Sequence, residues 1–298
     1  MFKKFLVCLV VSSVFFNIVS LDVDASKSGM ILPSSKITLV KSKEKNPKAI
    51  KVKSNWKYYE YSKINDGVAY LYKSTSNSRK NRTICINAGH GSKDSEAVKT
   101  LCHPDSTPKL VSGSTQAGSV EAPGMTSGMI FKDGTLERDA TLKTALKIKE
   151  ILLNNGYNVL MIRESDDVRL DNIARTLIAN NKADCHISIH YDGDGLSYDK
   201  GVFFCSVPDI DSYRNMEPVK SNWRAHNKLG ECLVDGMVSQ GLTKFNNGAM
   251  PMDLVQTSFS TVPSVDIEVG NACSLLSNDR LEKIGNGISS GLDVFFGL

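Results

Sequence analysis

The sequence predicts an α/β protein, with a mixed, largely parallel central sheet flanked by helices and a short basic N-terminal extension. Three observations predict it. From residue 83 onward, short apolar runs alternate with stretches of helical periodicity, the order of strands joined by helical crossovers. The 298 residues, 41% hydrophobic and 23% charged, have an ordinary globular composition with enough apolar mass for one sizeable core. No internal repeat is visible, and beyond the N-terminus no segment approaches the ~18 apolar residues of a membrane helix.

Each element has its own signal. Residues 1–25 form a secretory signal peptide by pattern: Lys3 and Lys4 precede an almost unbroken apolar run over 5–19, and small residues follow around Ala25. Such a segment directs export, so the mature chain is expected in the cell wall or a periplasm-like space. Residues 26–82 read as a basic extension and linker. They hold fourteen Lys and Arg against three Asp and Glu, whereas residues 83–298 hold twenty against twenty-seven. A basic arm on an acidic body predicts an anionic partner, and for an exported protein wall polymers or membrane surfaces fit better than nucleic acid; the plain alternative is a solvated linker charged for solubility. Within the arm, residues 56–61 and 68–72 read as strands of a hairpin, joined near Asn65-Asp66-Gly67.

Residues 84–88 read as the first strand of the main domain. The stretch 92–132 is rich in Gly, Ser, Thr and Pro and too long for a plain connection, which predicts a functional loop. A helix begins near Thr135, with Leu142, Ala145, Ile148 and Leu152 on one face, and stops at Asn155-Gly156. Strands are expected at 157–162, 184–190, 201–206 and 264–268, and helices at 170–181, 223–240 and 278–296. Six cysteines lie beyond the leader, with no CxxC pair and no regular spacing; Cys85, Cys185 and Cys205 fall within strands. Mostly free, buried thiols are expected rather than three disulfides.

Ligands of open α/β sheets bind beyond the carboxyl ends of the strands. That rule selects His90, just past the first strand of the main domain, His190, which closes the third, and Glu268, which closes the last. Glu137 lies in the first turn of the helix after the long loop. Two histidines and a carboxylate make a three-ligand zinc set with a position open for water, and a second carboxylate is then left to manage protons. Taken singly, each has a plainer role. Glu137 complements a helix dipole, and His190 is a strand-end histidine satisfied by a hydrogen bond. A phosphate cradle at Gly89-His90-Gly91 is disfavoured, because no P-loop Lys-Ser follows and no helix starts directly after it.

Four ordered motifs carry a resemblance: "INAGHG" (86–91), "GTLERDATL" (134–142), the block from "NVLMIRESDD" to "CHISIHYDG" (158–193) and "VPSVDIEVGN" (262–271). In order and spacing they resemble the zinc-dependent N-acetylmuramoyl-L-alanine amidases, over roughly residues 83–298. The resemblance implies that family's mixed α/β fold, Zn²⁺ held by His90, Glu137 and His190, and Glu268 as the catalytic carboxylate. It implies a peptidoglycan hydrolase that cleaves the amide between N-acetylmuramic acid and L-alanine through a zinc-activated water, with any activator protein unknown. Asn87 stands where the family usually has Asp, Tyr191-Asp192 replaces Ala-Asn, and Gly270-Asn271-Ala272-Cys273 lacks the usual Phe.

The 46 residues between His90 and Glu137 exceed the loop of compact members and are expected to wall or cover the groove. His103 stays outside the ligand set, which is complete without it. His186 sits about 13 Å along the strand from His190 at ~3.3 Å per residue, too far for the same metal, and His226 reads as structural. The alternative is a catalytically weak or inactive wall-binding or regulatory homologue with the same fold. A cysteine peptidase built on Cys85 or Cys185 is disfavoured, since both thiols lie mid-strand.

Overall fold

The computed structural model describes residues 47–92 and 95–298. The signal peptide expected over 1–25, and the arm as far as residue 46, lie outside them. The arm contributes β1 (Lys48–Ile50) and β2 (Ala69–Tyr72), and β3 (Thr83–Ala88) follows. The long loop carries its own two-stranded ribbon of β4 (Lys99–Leu101) and β5 (Glu121–Pro123). Next come α1 (Glu137–Asn154), β6 (Asn158–Met161), α2 (Asn172–Lys182), β7 (Cys185–Asp192) and β8 (Val202–Ser206). The remaining elements are α3 (Asp211–Arg214), α4 (Val219–Ser239), β9 (Lys244–Pro251), α5 (Val255–Phe259), β10 (Ser264–Asn271) and α6 (Asn278–Phe296).

Eight strands form one sheet in the order β1-β2-β6-β3-β7-β10-β8-β9. Its centre, β6-β3-β7-β10, is parallel, whereas β2 and β8 join it antiparallel, giving the expected mixed α/β sheet. On one face, Ile84, Ile86, Ile187 and Ile267 meet the apolar sides of α1, α4 and α6. On the other, Cys85, Leu160 and Ile162 meet Ala174 and Ile178 of α2. Asp171 starts α2 as an N-cap, accepting from the Ala174 amide at 2.7 Å. Because both faces are covered, only the strand ends are left to build a site.

The arm differs from its sequence reading. Residues 56–61, expected as a strand, form turns and a 3-10 turn at Tyr59–Tyr61. Tyr58 and Tyr61 instead lay their rings on Phe259, 5.4 and 5.7 Å between centroids. The aromatic run is therefore a packing surface for the helical layer, not a ladder. Its place beside β2 is taken by β1, which pairs antiparallel with it. Asp171 ties the segment down further, accepting from Ser62 Oγ at 3.1 Å and from the Ile64 amide at 2.9 Å. All six cysteines of the described residues are free.

Candidate active site

The chain turns sharply as it leaves β3, and His90 adopts φ +63°, a conformation that non-glycine residues rarely occupy. Two buried arginines hold that turn by its carbonyls. Arg163 donates to Ala88 O at 3.0 Å and Gly89 O at 2.8 Å; Arg175 donates to Ala88 O at 3.1 Å and His90 O at 2.7 Å. Burial lowers the two guanidinium groups to about 10 and about 9, so both remain cationic at neutral pH. Gly89 is required by space, since a Cβ there would lie 2.3 Å from the His190 ring.

His90 Nδ1 faces Thr126 O at 2.8 Å, and Nε2 points at Glu137 Oε1, 2.9 Å away. The carbonyl that orients the ring thus comes from the long loop, not from a carboxylate at position 87. Asn87 serves the turn differently: its amide oxygen accepts from Arg175 Nη1 and its amide nitrogen donates to Ser188 Oγ, both at 2.9 Å.

Glu137 is the first residue of α1 and is only 3% exposed. Its Oε1 accepts from the Tyr191 amide and lies near His190 Nδ1, each at 3.1 Å, while Oε2 accepts from the Met129 amide at 2.9 Å. Burial alone would raise this carboxyl, but the hydrogen bond with His190 and the closeness of His90 outweigh it and hold the group well below the usual carboxylate range. The parallel register of β7 and β10 sets Glu268 opposite His190. Burial pushes the Glu268 carboxyl well above its usual range, against the pull of His190 and with Asp266 adding to the rise. Its Oε2 is buried without a hydrogen-bond partner.

His90, Glu137 and His190 each present a ligand atom within 4.8 Å of the others. With Glu268 they line one cleft of about 810 Å³. The long loop supplies a wall through Met125 and Met129, faced by Met250 and Met252 from the β9–α5 side. A buried carboxylate clamps that wall. Asp253 accepts from the Leu110 amide at 2.6 Å, the Val111 amide at 3.0 Å and Lys109 Nζ at 3.2 Å, with His103 Nε2 at 3.1 Å. His103 is therefore a strut of the loop. His186 and His226 are buried elsewhere, the first with neither ring nitrogen hydrogen-bonded, the second accepting from the Ser264 amide at 2.9 Å.

Several working residues escape a reading by side-chain type. Thr126 acts through its backbone carbonyl, and nothing in its identity signals that. Arg163 and Arg175 sit inside the block 158–193, where a buried arginine in an apolar context is the one available signal. Asp253 and Asp266 become visible only when strands and loops are assembled.

Two histidines and a carboxylate at the carboxyl edge of a parallel sheet, next to a second carboxyl that desolvation pushes above its usual range, are the donor arrangement of a metallohydrolase. The family follows from comparison. Residues 84–293 match the family model for N-acetylmuramoyl-L-alanine amidase, and the chain belongs to that family. The Staphylococcus epidermidis protein named "Probable cell wall amidase LytH" is 32% identical over 129 residues, 43% of this chain and 32% of that protein. The aligned stretch thus spans about a third of this relative. Among solved structures, the N-acetylmuramyl-L-alanine amidase Ami1 of Mycobacterium smegmatis has a TM-score of 0.60 at 20% identity, covering 74% of this chain and 99% of that one. The CwlD amidase of Clostridioides difficile, solved in complex with the GerS lipoprotein, has a TM-score of 0.51 at 23% identity, covering 73% and 99%. These two share the fold; β1 and β2 precede the stretch that the family model matches.

Proposed function

We propose that this chain is an exported, zinc-dependent amidase that hydrolyses the bond between N-acetylmuramic acid and the L-alanine of the peptidoglycan stem. In this reading residues 1–25 are the signal peptide, 26–82 a basic arm that meets anionic wall polymers, and 83–298 the catalytic domain. His90, Glu137 and His190 hold the metal and Glu268 handles the proton. One observation carries the proposal: four residues from four separate elements converge in one cleft of an amidase-family chain.

The residues fit zinc. Two imidazoles and a carboxylate are its usual donors, His90 Nε2 is buried and lies 2.9 Å from Glu137 Oε1 without an aligned hydrogen bond, and a Cβ at Gly128 would come within 2.8 Å of both His90 Nε2 and Glu137 Oε2. Zinc bound there supplies Lewis acidity, which lowers the pKa of water toward ~7 and polarises the scissile carbonyl. Glu268 accepts a proton from the attacking water and returns it to the departing alanine nitrogen. Burial suits the carboxyl to that return, because it disfavours leaving the group charged. Thr126 O accepts a hydrogen bond from His90 Nδ1–H, the tautomer that leaves the Nε2 lone pair able to ligate.

The test is digestion of purified peptidoglycan by the whole chain, with and without chelator. New N-terminal alanine without new reducing ends is expected, lost on chelation and regained with Zn²⁺; new reducing ends alone would overturn the reading. Glu268→Gln is expected to keep its zinc and lose activity by about 10²- to 10⁴-fold. A near wild-type rate in that variant would remove Glu268 from the chemistry.

A further inference from the structure

We propose that Cys205, Asp266 and Glu268 form a second, inhibitory site for a thiophilic divalent metal ion, beside the first and sharing its cleft. β8 runs antiparallel to β10, with Phe204 opposite Ile267 and Phe203 opposite Glu268. Continuing that register sets Cys205 opposite Asp266, and opposed side chains share a face of the sheet. Glu268, two residues along the strand from Asp266, lies on that face too. One thiol and two carboxylates thus converge, each with a ligand atom within 4.8 Å of the others.

Independent observations point to a cation there. Asp266 Oδ1 and Glu268 Oε2 are both buried and both lack a hydrogen-bond partner. Buried carboxylate oxygens without partners are costly, and a metal ion is a group that satisfies several at once. The lysines lining the cleft are committed elsewhere: Lys200 pairs with Asp192 and Asp194, and Lys109 with Asp253. His190 Nε2 stands 3.6 Å from Asp266 Oδ2 and faces Glu137 with its other nitrogen.

The donor chemistry separates the two sites. The first offers imidazoles and a carboxylate. The second offers a cysteine sulfur with two carboxyl groups, a set that, once its protons are displaced, selects zinc, cobalt or cadmium over magnesium and calcium. As the metal–sulfur bond forms, the thiol proton leaves to solvent. An ion held by Glu268 occupies the lone pairs needed for proton transfer, so filling the site switches hydrolysis off. That consequence rests on the role proposed above for Glu268; the existence of the site does not.

The experiment titrates the chelator-treated whole chain with Co²⁺ and, separately, Zn²⁺. Bound metal per chain, near-ultraviolet thiolate-to-cobalt absorption and peptidoglycan hydrolysis are recorded. Two equivalents are expected, the charge-transfer band growing only with the second, and zinc filling of that site lowers hydrolysis by about tenfold or more. Cys205→Ala and Cys205→Ser each keep one equivalent, without the band and without inhibition by excess zinc, and Asp266→Asn weakens the second equivalent by about tenfold or more. A wild-type chain that stops at one equivalent, or a band that survives loss of the thiol, overturns the site. Two equivalents with undiminished hydrolysis overturn the inhibitory role. Two equivalents with the band but no hydrolysis at any loading leave the site standing and sink the amidase reading instead.

Discussion

Asn87, where the family resemblance implies Asp, holds the His90 turn through Arg175. Its amide bridges Arg175 and Ser188, each at 2.9 Å, so it holds the arginine that in turn holds the His90 carbonyl. A carboxylate at this position would keep the arginine contact, and the Ser188 hydroxyl would turn to donate to it. Asn87→Asp is therefore expected to leave the midpoint of urea denaturation nearly unchanged. Asn87→Ala strands a buried guanidinium N–H and should lower stability by about 1–3 kcal/mol. Equal losses in the two variants would show that the bridge contributes nothing. His90 and His190 were legible at this scale because each stands at a strand end. Thr126 was not, since a backbone carbonyl carries no mark of its residue type.

The long loop is the element whose role the tertiary structure changes most. It was readable as functional from its length alone, yet its work is specific: it orients His90 through Thr126 O and Glu137 through the Met129 amide. Asp253 anchors it from the far side of the cleft. Removing one member of a buried charged cluster typically costs about 3–5 kcal/mol. Asp253→Ala should therefore free residues 103–119 to limited proteolysis and raise KM for peptidoglycan, while α1 and the sheet stay folded. Unaltered protease resistance in that stretch would mean that the clamp is dispensable. One other element differs from its sequence expectation, and one was not anticipated, each for a physical reason. The aromatic run 56–61 has the composition of a strand, but its rings find Phe259 instead of a ladder. In β9, for which no strand was expected, Asn246-Asn247-Gly248 falls where the register against β8 shifts, with Asn246 at φ +46° and Gly248 at φ +81°, so the turn signal is expressed as a bulge within the strand.

At the scale of the whole molecule, two core histidines couple folding to pH. Burial holds His186 and His226 at about 3, with the nearby Arg175 and His226 charges adding to the effect on His186. In the unfolded chain both titrate near the usual value of about 6.5. The folded pKa values are depressed, so the stability is fully present above about pH 6.5 and drains away as pH falls toward about 3. Each group contributes at most about 1.4 kcal/mol per pH unit across that window. Urea denaturation between pH 7.5 and 4.5 should show this slope, and His226→Asn should flatten it. A wild-type slope untouched by that substitution would assign the acid sensitivity to other groups.

The sequence by itself determined the alternation of strands and helices, and with it which residues stand at strand ends where a parallel sheet binds its ligands. That much is local, because periodicity and caps are written in neighbouring residues. The spacing of His90, Glu137, His190 and Glu268 along the chain did not establish that they meet. Strand order and register decided it: β7 lies between β3 and β10, and Glu268 is level with His190. The same register carries Cys205 to Asp266, a neighbour sixty-one positions away that no sequence pattern announces. Convergence of this kind is a property of long-range pairing and the closure of a core, and only the folded chain contains it.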